Sequence, residues 1–369
     1  MKQIKFYDLT IQNSCILEGV QQRWRDLISE NTFIQGNAVT SFEKRYSDFA
    51  RIRNTIGVAN GTDAIELLLR ASDIPKDSTI LIPAHTFIAT ALAVLRAGYK
   101  VELVDVAEGN MLVDPVTVAE KISKQTKGFV AVHLYGQLVD MKEIASLMRD
   151  RVFLFEDGAQ SQGASLNGDY AGTYSSGVAT SFYPGKNLGA FGDAGAVSTN
   201  DDAIAEKVRS LGNYGSLKKY FHPEIGFNSR LDTLQAVVLD EKLKHLNKWN
   251  SERQNLARNY LEKLNGVEQI RLPQVSEVDG HVWHLFVIRV PERDEVVQRM
   301  QNLGVQCIIH CPRAIHLQGG LAELGYKVGD FPVAESIADS CLSLPLYPGM
   351  TESDQDYVVD CLKAAVGDK

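Results

Sequence analysis

The stretch VATSFYPGKNLGAFGDAGAVSTND, Val178 to Asp201, opens as an apolar run and then sets one lysine among Gly185, Gly189, Gly192 and Gly195. A second apolar run, DAGAVSTN, comes after it. Two apolar runs flanking a glycine-rich loop read as strand, loop, strand, with Lys186 just beyond the first strand. A solvated surface lysine is the plain alternative, but such a loop does not need so much backbone freedom around one amine. A phosphate-binding P-loop is excluded. It requires a glycine five residues before its Gly-Lys pair and Ser or Thr after the lysine, whereas Thr180 and Asn187 stand there. There remains a lysine placed to bond covalently with a cofactor, and the rest of the chain must support that.

On either side of this loop, strands and helices alternate. Residues 15–31 and 39–51 read as amphipathic helices. TIGVAN is a short strand running to Gly61, and GTDAIELLLRAS starts a helix with Thr62 and Asp63 as cap-like residues. STILIPA, KVELVDV, GFVAVHLYG and VFLFEDGAQ read as further strands. TFIATALAVLRAG, closed by Gly98, and MKEIASLMRD read as helices between them. Continuously apolar strands alternating with helices predict an α/β fold, with a mostly parallel sheet covered on both faces. Beyond about residue 240 a long helical stretch, LDTLQAVVLDEKLKHLNKWNSERQNLARNYLEKL, leads to strand-like HVWHLFVIRV and a helix, RDEVVQRMQNLG. We therefore expect a large α/β domain over 1–249 and a smaller C-terminal α+β domain over 250–369.

The bulk properties agree. A chain of 369 residues is long for a single core. A formal charge of -8 and no long Lys/Arg run argue against a nucleic-acid surface. The five scattered cysteines suggest reduced thiols in a cytoplasmic protein. Cys307, His310 and Cys311 lack a second ligand cluster at zinc-like spacing, so no metal site is expected. The N-terminus lacks the apolar core of a signal peptide, and no apolar run is long enough to span a membrane.

In open α/β sheets, ligands bind beyond the carboxyl ends of the strands. Asp157 follows VFLFE, Lys186 follows VATSFYPG, and Gly61-Thr62 follows TIGVAN. Each has an ordinary explanation alone: a cap carboxylate, a loop amine, a helix start. Together they match pyridoxal 5′-phosphate (PLP). A lysine forms its Schiff base, a carboxylate pairs with its ring nitrogen, and a helix N-terminus holds its phosphate. Ser181 is a further phosphate donor. Phe87 is either a cover for the ring or a core aromatic.

The chain also resembles the DegT-type sugar-nucleotide aminotransferases, a branch of the fold-type I PLP enzymes. The resemblance runs through FYDLT, IQGNAVTSFEKRYSDFA, VANGTDAIELLL, PAHTFIATALAVLRAG, EDGAQSQGA, SFYPGKNLGAFGDAGAV, GFNSRLDTLQA, HVWHLFVIR, IHCPRAIHLQ and GDFPVAESIADSCLSLPLYPGMT. It implies Lys186 as the Schiff-base lysine, Asp157 as the ring-nitrogen partner, Gln160 beside the phenolic oxygen and Phe87 stacked on the ring. Gly61, Thr62 and Ser181 would hold the phosphate, joined by Asn228 from a neighbouring subunit, which implies a homodimer with shared active sites. NYGSLKKYFH and SFYPGKNLGA are most like the enzymes acting on dTDP-linked 3-keto-6-deoxyhexoses, with glutamate as amino donor. A 4-keto or UDP-linked sugar is the alternative. Tyr183, Lys219, Tyr220 and His310 are the candidate substrate contacts, Lys219 and Tyr220 being placed to serve the partner's site. Three positions depart from the family pattern: Gly158 where alanine is usual, Gln162 where many relatives carry histidine, and Cys311 where tyrosine is frequent. A non-catalytic PLP-binding regulator would lack a working lysine, and the related sugar dehydratases replace it with histidine. Lys186 disfavours both.

Overall fold

The computed structural model describes residues 2–148 and 152–367. Its main sheet has seven strands. They are β1 (Asn54–Val58), β2 (Thr79–Pro83), β3 (Lys100–Val104), β4 (Thr126–Val132), β5 (Phe153–Asp157), β6 (Gly177–Ser181) and β7 (Gly195–Thr199). Their spatial order is β1-β7-β6-β5-β4-β2-β3. Within this sheet β7 runs against both neighbours, β1 and β6, and the other neighbouring pairs are parallel. The reversal comes from the sequence between β6 and β7. A parallel return needs a crossover of a dozen or more residues, usually helical. The lysine loop contains no helix, so Ser181 pairs directly with Gly195 across an antiparallel ladder.

Helices pack over the sheet much as the apolar periodicity predicts, with shifted ends. α1 (Leu17–Glu30) and α2 (Asn37–Ala50) each stop at a left-handed residue, Asn31 and Arg51. α3 (Gly61–Ala71) starts at Gly61 as expected, but its cap is Asn60 rather than Thr62 or Asp63. The Asn60 side chain accepts the Asp63 amide at 2.8 Å. α4 (Ile88–Arg96) ends before Gly98, whose φ is +90°. The expected helix at 141–150 is described over Met141–Met148, and Arg149 and Asp150 lie outside the described residues.

Two readings of the C-terminal part are corrected. The long helical stretch breaks into α5 (Thr233–Leu243) and α6 (Leu246–Leu264). The His245 amide bonds back to the Lys242 carbonyl at 2.9 Å, a tightened turn that ends α5. In HVWHLFVIRV only β8 (Phe286–Arg289) is a strand, paired antiparallel with β9 (Cys341–Leu344). Upstream, Trp283 takes a left-handed backbone (φ 46°), and its amide donates to His281 Nδ1 at 2.9 Å beneath a stacked imidazole. Those bonds replace a ladder. Apolar side chains around β8 and β9, among them Leu256, Tyr260, Phe286, Met300 and Val358, form one buried group. Ile4 joins it by pairing with Val305. Other groups line the faces of the large sheet. The expected division at 249/250 falls inside α6. Among the described residues no helix is long and apolar enough to cross a membrane.

Candidate active site

β1, β5 and β6 point the same way, so the segments leaving their carboxyl ends meet at one edge of the sheet. Gly61 and Thr62 open α3 just after β1. Asp157 ends β5, Ser181 ends β6, and Lys186 sits in the loop beyond. All of them line one cavity of about 670 Å³, together with Phe87, Gln160, Tyr183 and His310.

The carboxyl at the end of β5 is closely held. Asp157 is buried; its Oδ2 accepts the Thr90 hydroxyl at 2.9 Å and its Oδ1 the Ala159 amide at 3.1 Å. Burial pushes this carboxyl up, against the opposing pull of those two donors, Lys186 and His133. A buried carboxylate of this kind gains most from a cation beside it. Burial also lowers the Lys186 amine to about 8, with Asp157 pulling the other way. An amine in that range supplies a neutral nucleophile near physiological pH.

One wall is a helix N-terminus. The Asn60 side chain occupies the Asp63 amide and the Asn60 carbonyl the Ala64 amide. The Gly61 and Thr62 amides have no intrahelical acceptor. Two glycines bring this end close to the sheet. A Cβ on Gly61 would stand 2.6 Å from Ser181 Cβ, and one on Gly195 would stand 2.4 Å from the Asn60 carbonyl carbon. Free amides, a hydroxyl and the helix dipole together form an anion site.

Gln160 is oriented by its neighbour. Tyr135 adopts a left-handed backbone (φ 63°) and its amide donates to Gln160 Oε1 at 2.6 Å. With the carbonyl so engaged, the Gln160 NH₂ is the end left to donate into the cavity. Phe87, 63% exposed, is no core aromatic; its ring lies open at the cavity edge.

Three predicted residues do not line this cavity. Lys219 and Tyr220 lie exposed in the loop beyond Gly212, the lysine amine 5.1 Å from the tyrosine ring centroid. Asn228 is exposed too. Its Oδ1 accepts from Arg230 at 2.8 Å, which turns its NH₂ outward. Cys311 does line the cavity, and burial pushes its thiol up to about 12, so it stays protonated. Cys307 packs in the core around β8 and β9. Among the described residues no group of three or more His, Cys, Asp or Glu could hold a metal.

Residues 14–363 match the DegT/DnrJ/EryC1/StrS aminotransferase family. The chain belongs to that family. It is 40% identical over 362 residues to the erythromycin biosynthesis sensory transduction protein EryC1 of Saccharopolyspora erythraea, covering 98% of this chain and 99% of that one. It is 38% identical to the dTDP-3-amino-3,4,6-trideoxy-alpha-D-glucose transaminase of Streptomyces venezuelae, over 91% of this chain and 89% of the relative. The crystal structure of S. venezuelae DesV in complex with a ketimine intermediate superposes with a TM-score of 0.96 at 36% identity, covering 99% of this chain and 98% of the other.

The aminotransferases of this family use PLP, and the residues present fit it. The buried carboxylate suits a ring cation, the amide and hydroxyl cradle suits a phosphate, and Lys186 lines the same cavity. The sequence reading missed several residues that shape the site. Thr90 holds Asp157, Asn60 caps α3, and Tyr135 aims Gln160. Tyr7, Asp193 and His284 also line the cavity. Thr90 left a weak trace, a hydroxyl in the first turn of a helix at a strand end. The others needed the tertiary fold.

Proposed function

We propose that this enzyme moves an amino group from glutamate to a nucleotide-linked keto sugar, at C3 of a dTDP-linked 3-keto-6-deoxyhexose. The observation that carries the reading is the convergence of Lys186, Asp157 and the N-terminus of α3 in one cavity. The 38% identical transaminase relative and the DesV superposition supply the sugar class.

In this reading PLP supplies an aldehyde for amines and a ring that accepts the electron pair released at the α-carbon. Asp157, held by Thr90 and the Ala159 amide, keeps the ring nitrogen protonated. Gly61, Thr62 and Ser181 bind the phosphate, Gln160 donates to the phenolic oxygen, and Phe87 covers the ring. Lys186 anchors the cofactor. Its amine would also serve as the base that takes the proton from the donor's α-carbon and as the acid that returns it. The same amine would move the proton in the opposite sense at the sugar carbon. Tyr183 and His310, on the cavity wall, face the sugar.

The working unit is a homodimer with shared sites. Among the cavity's lining residues Lys186 is the one lysine and none is an arginine. A diphosphate-linked sugar needs cationic partners that this chain's own cavity does not supply. The loop bearing Lys219, Tyr220 and Asn228 exposes them, along with apolar Tyr214, Leu217, Phe221 and Ile225. A patch of that kind marks an interface. Asn228 then reaches the partner's phosphate site, and Lys219 and Tyr220 its substrate. We place the protein in the cytoplasm, in keeping with its free cysteines, and keep the division into domains 1–249 and 250–369.

The name of the 40% identical relative favours a second reading, a regulator without catalysis. A non-catalytic regulator would lack a working lysine, and Lys186 inside this cavity disfavours that reading. The deciding experiment offers glutamate with a panel of dTDP- and UDP-linked 3-keto and 4-keto sugars, the products being assigned by mass and NMR. An amine at C3 of the dTDP sugar is expected. No product from any of them, with PLP bound, would favour the regulator.

A further inference from the structure

His284 lies just before β8, and its ring lines the cavity beside Lys186 and His310. The sequence reading gave it no role, yet its hydrogen bonds fix its chemistry. Asn187, the residue after Lys186, donates its NH₂ to the Val282 carbonyl and to Asn250 Oδ1, both at 2.9 Å. Asn250 in turn donates to the Gln162 carbonyl at 2.9 Å. Backbone carbonyls only accept, so neither amide can be flipped. Asn187 Oδ1 is therefore an acceptor, and it stands 3.2 Å from His284 Nδ1. The proton must sit on Nδ1.

The other ring nitrogen is then defined. Burial, Lys186 and the buried Arg253 all push the ring well below its ordinary range, so it is neutral. Nε2 carries a lone pair and no hydrogen. No other hydrogen bond to this ring exists among the described residues. The reaction chamber thus holds a fixed, unpartnered acceptor. Among the other polar groups lining the cavity, Lys186 and the Gln160 NH₂ can donate.

One chamber must serve two substrates in turn. Apart from the amine that reacts, the amino donor brings only carboxylates, which accept and gain nothing from a lone pair. A keto sugar brings hydroxyl groups, which donate. We propose that His284 is a specificity-determining residue whose Nε2 accepts a hydrogen bond from one of the two ring hydroxyls that flank the sugar ketone. The assignment rests on the aminotransferase reading above. It adds that the acceptor half of the reaction demands a hydroxyl there.

Two variants separate this role from a structural one. His284→Asn keeps an N–H near Nδ1 for Asn187 but removes the acceptor at the Nε2 position. His284→Gln places an amide oxygen near Nε2. Each half-reaction is followed alone by the absorbance change between the PLP and pyridoxamine forms. The substrates are glutamate, dTDP-linked 3-keto-6-deoxyhexose, and its 2-deoxy and 4-deoxy analogues, each lacking one hydroxyl beside the ketone. In His284→Asn the rate ratio of acceptor to donor half-reactions should fall by about 30-fold, with much of it restored in His284→Gln. Wild type should discriminate against one of the two deoxy analogues by a similar factor, and His284→Asn should discriminate against neither. Independently of activity, ¹⁵N-histidine NMR of the protein should show a neutral ring protonated on Nδ1. Equal slowing of both half-reactions, undiminished discrimination in His284→Asn, or a proton on Nε2 would overturn the proposal. A missing glutamate half-reaction in wild type would instead overturn the aminotransferase reading.

Discussion

Gly61→Ala tests the phosphate cradle through a single methyl group. Nothing in the backbone forbids the change, because Gly61 does not lie in the left-handed region. In a helix, alanine is intrinsically better than glycine by up to about 1 kcal/mol. The obstacle is space. The new Cβ would lie 2.6 Å from Ser181 Cβ and 3.2 Å from Ser181 Oγ, where ordinary contact begins at 3.4 Å. Either α3 lifts from β6 by about 0.8 Å, or Ser181 moves by as much. A hydrogen bond of about 2.9 Å lengthened that far is lost. Each bond to a charged phosphate contributes about 1.5–3 kcal/mol. Losing one raises the PLP dissociation constant roughly tenfold to hundredfold. The assay is titration of the apoprotein with PLP, monitored by absorbance, alongside thermal unfolding without cofactor. Gly320→Ala is the control, since its Cβ meets nothing within 4 Å. The expected result is a weakened cofactor with an apoprotein melting temperature within a few degrees of wild type. PLP affinity within threefold of wild type would show that Gly61 and Ser181 do not form the cradle.

Removing the ring-nitrogen partner in Asp157→Asn should leave PLP bound through its phosphate and slow proton transfer by about 100-fold or more, and near-normal turnover would remove Asp157 from the role. Thr90→Val deletes the 2.9 Å bond to Asp157 at nearly constant volume, so single-turnover rates should drop roughly tenfold. The Lys186 amine, lowered from 10.5 to about 8, is the nucleophile only when neutral. Capture of PLP by the apoprotein, read by stopped-flow absorbance, should therefore rise with pH below that value and level off above it. A rate still climbing at pH 10 would contradict the assignment. Lys186→Ala and Asn228→Ala, mixed under subunit exchange, should form heterodimers with one intact site and recover activity above either parent. A monomer by light scattering, or no recovery after proven exchange, would return Asn228 to its own subunit.

The legible part of the site has a physical pattern. Lys186, Asp157 and Gly61 stand out in the sequence because each comes at or just beyond the carboxyl end of an apolar strand, and such ends share one edge of the sheet. The antiparallel β7 is less evident, since its apolar run reads like its parallel neighbours; only the missing crossover helix marks it. HVWHLFVIRV reads as strand-like from its apolar and β-branched residues, yet Trp283 turns left-handed and His281 takes its amide. His284 escapes notice because its role depends on Asn187, 97 residues away in the chain. Thr90 and Tyr135 act through similar long-range contacts with Asp157 and Gln160. Such contacts leave no local periodicity.

Amino transfer through Lys186 to a nucleotide-linked keto sugar can be read out by isotope transfer. The PLP-loaded protein is incubated with ¹⁵N-glutamate and dTDP-linked 3-keto-6-deoxyhexose, and the purified sugar nucleotide is examined by NMR and mass spectrometry. With wild type, ¹⁵N should be bonded to C3; with Lys186→Ala, no label should enter the sugar. A sugar that stays unlabelled although PLP is bound, or that gains the label equally without the lysine, would contradict transfer through Lys186.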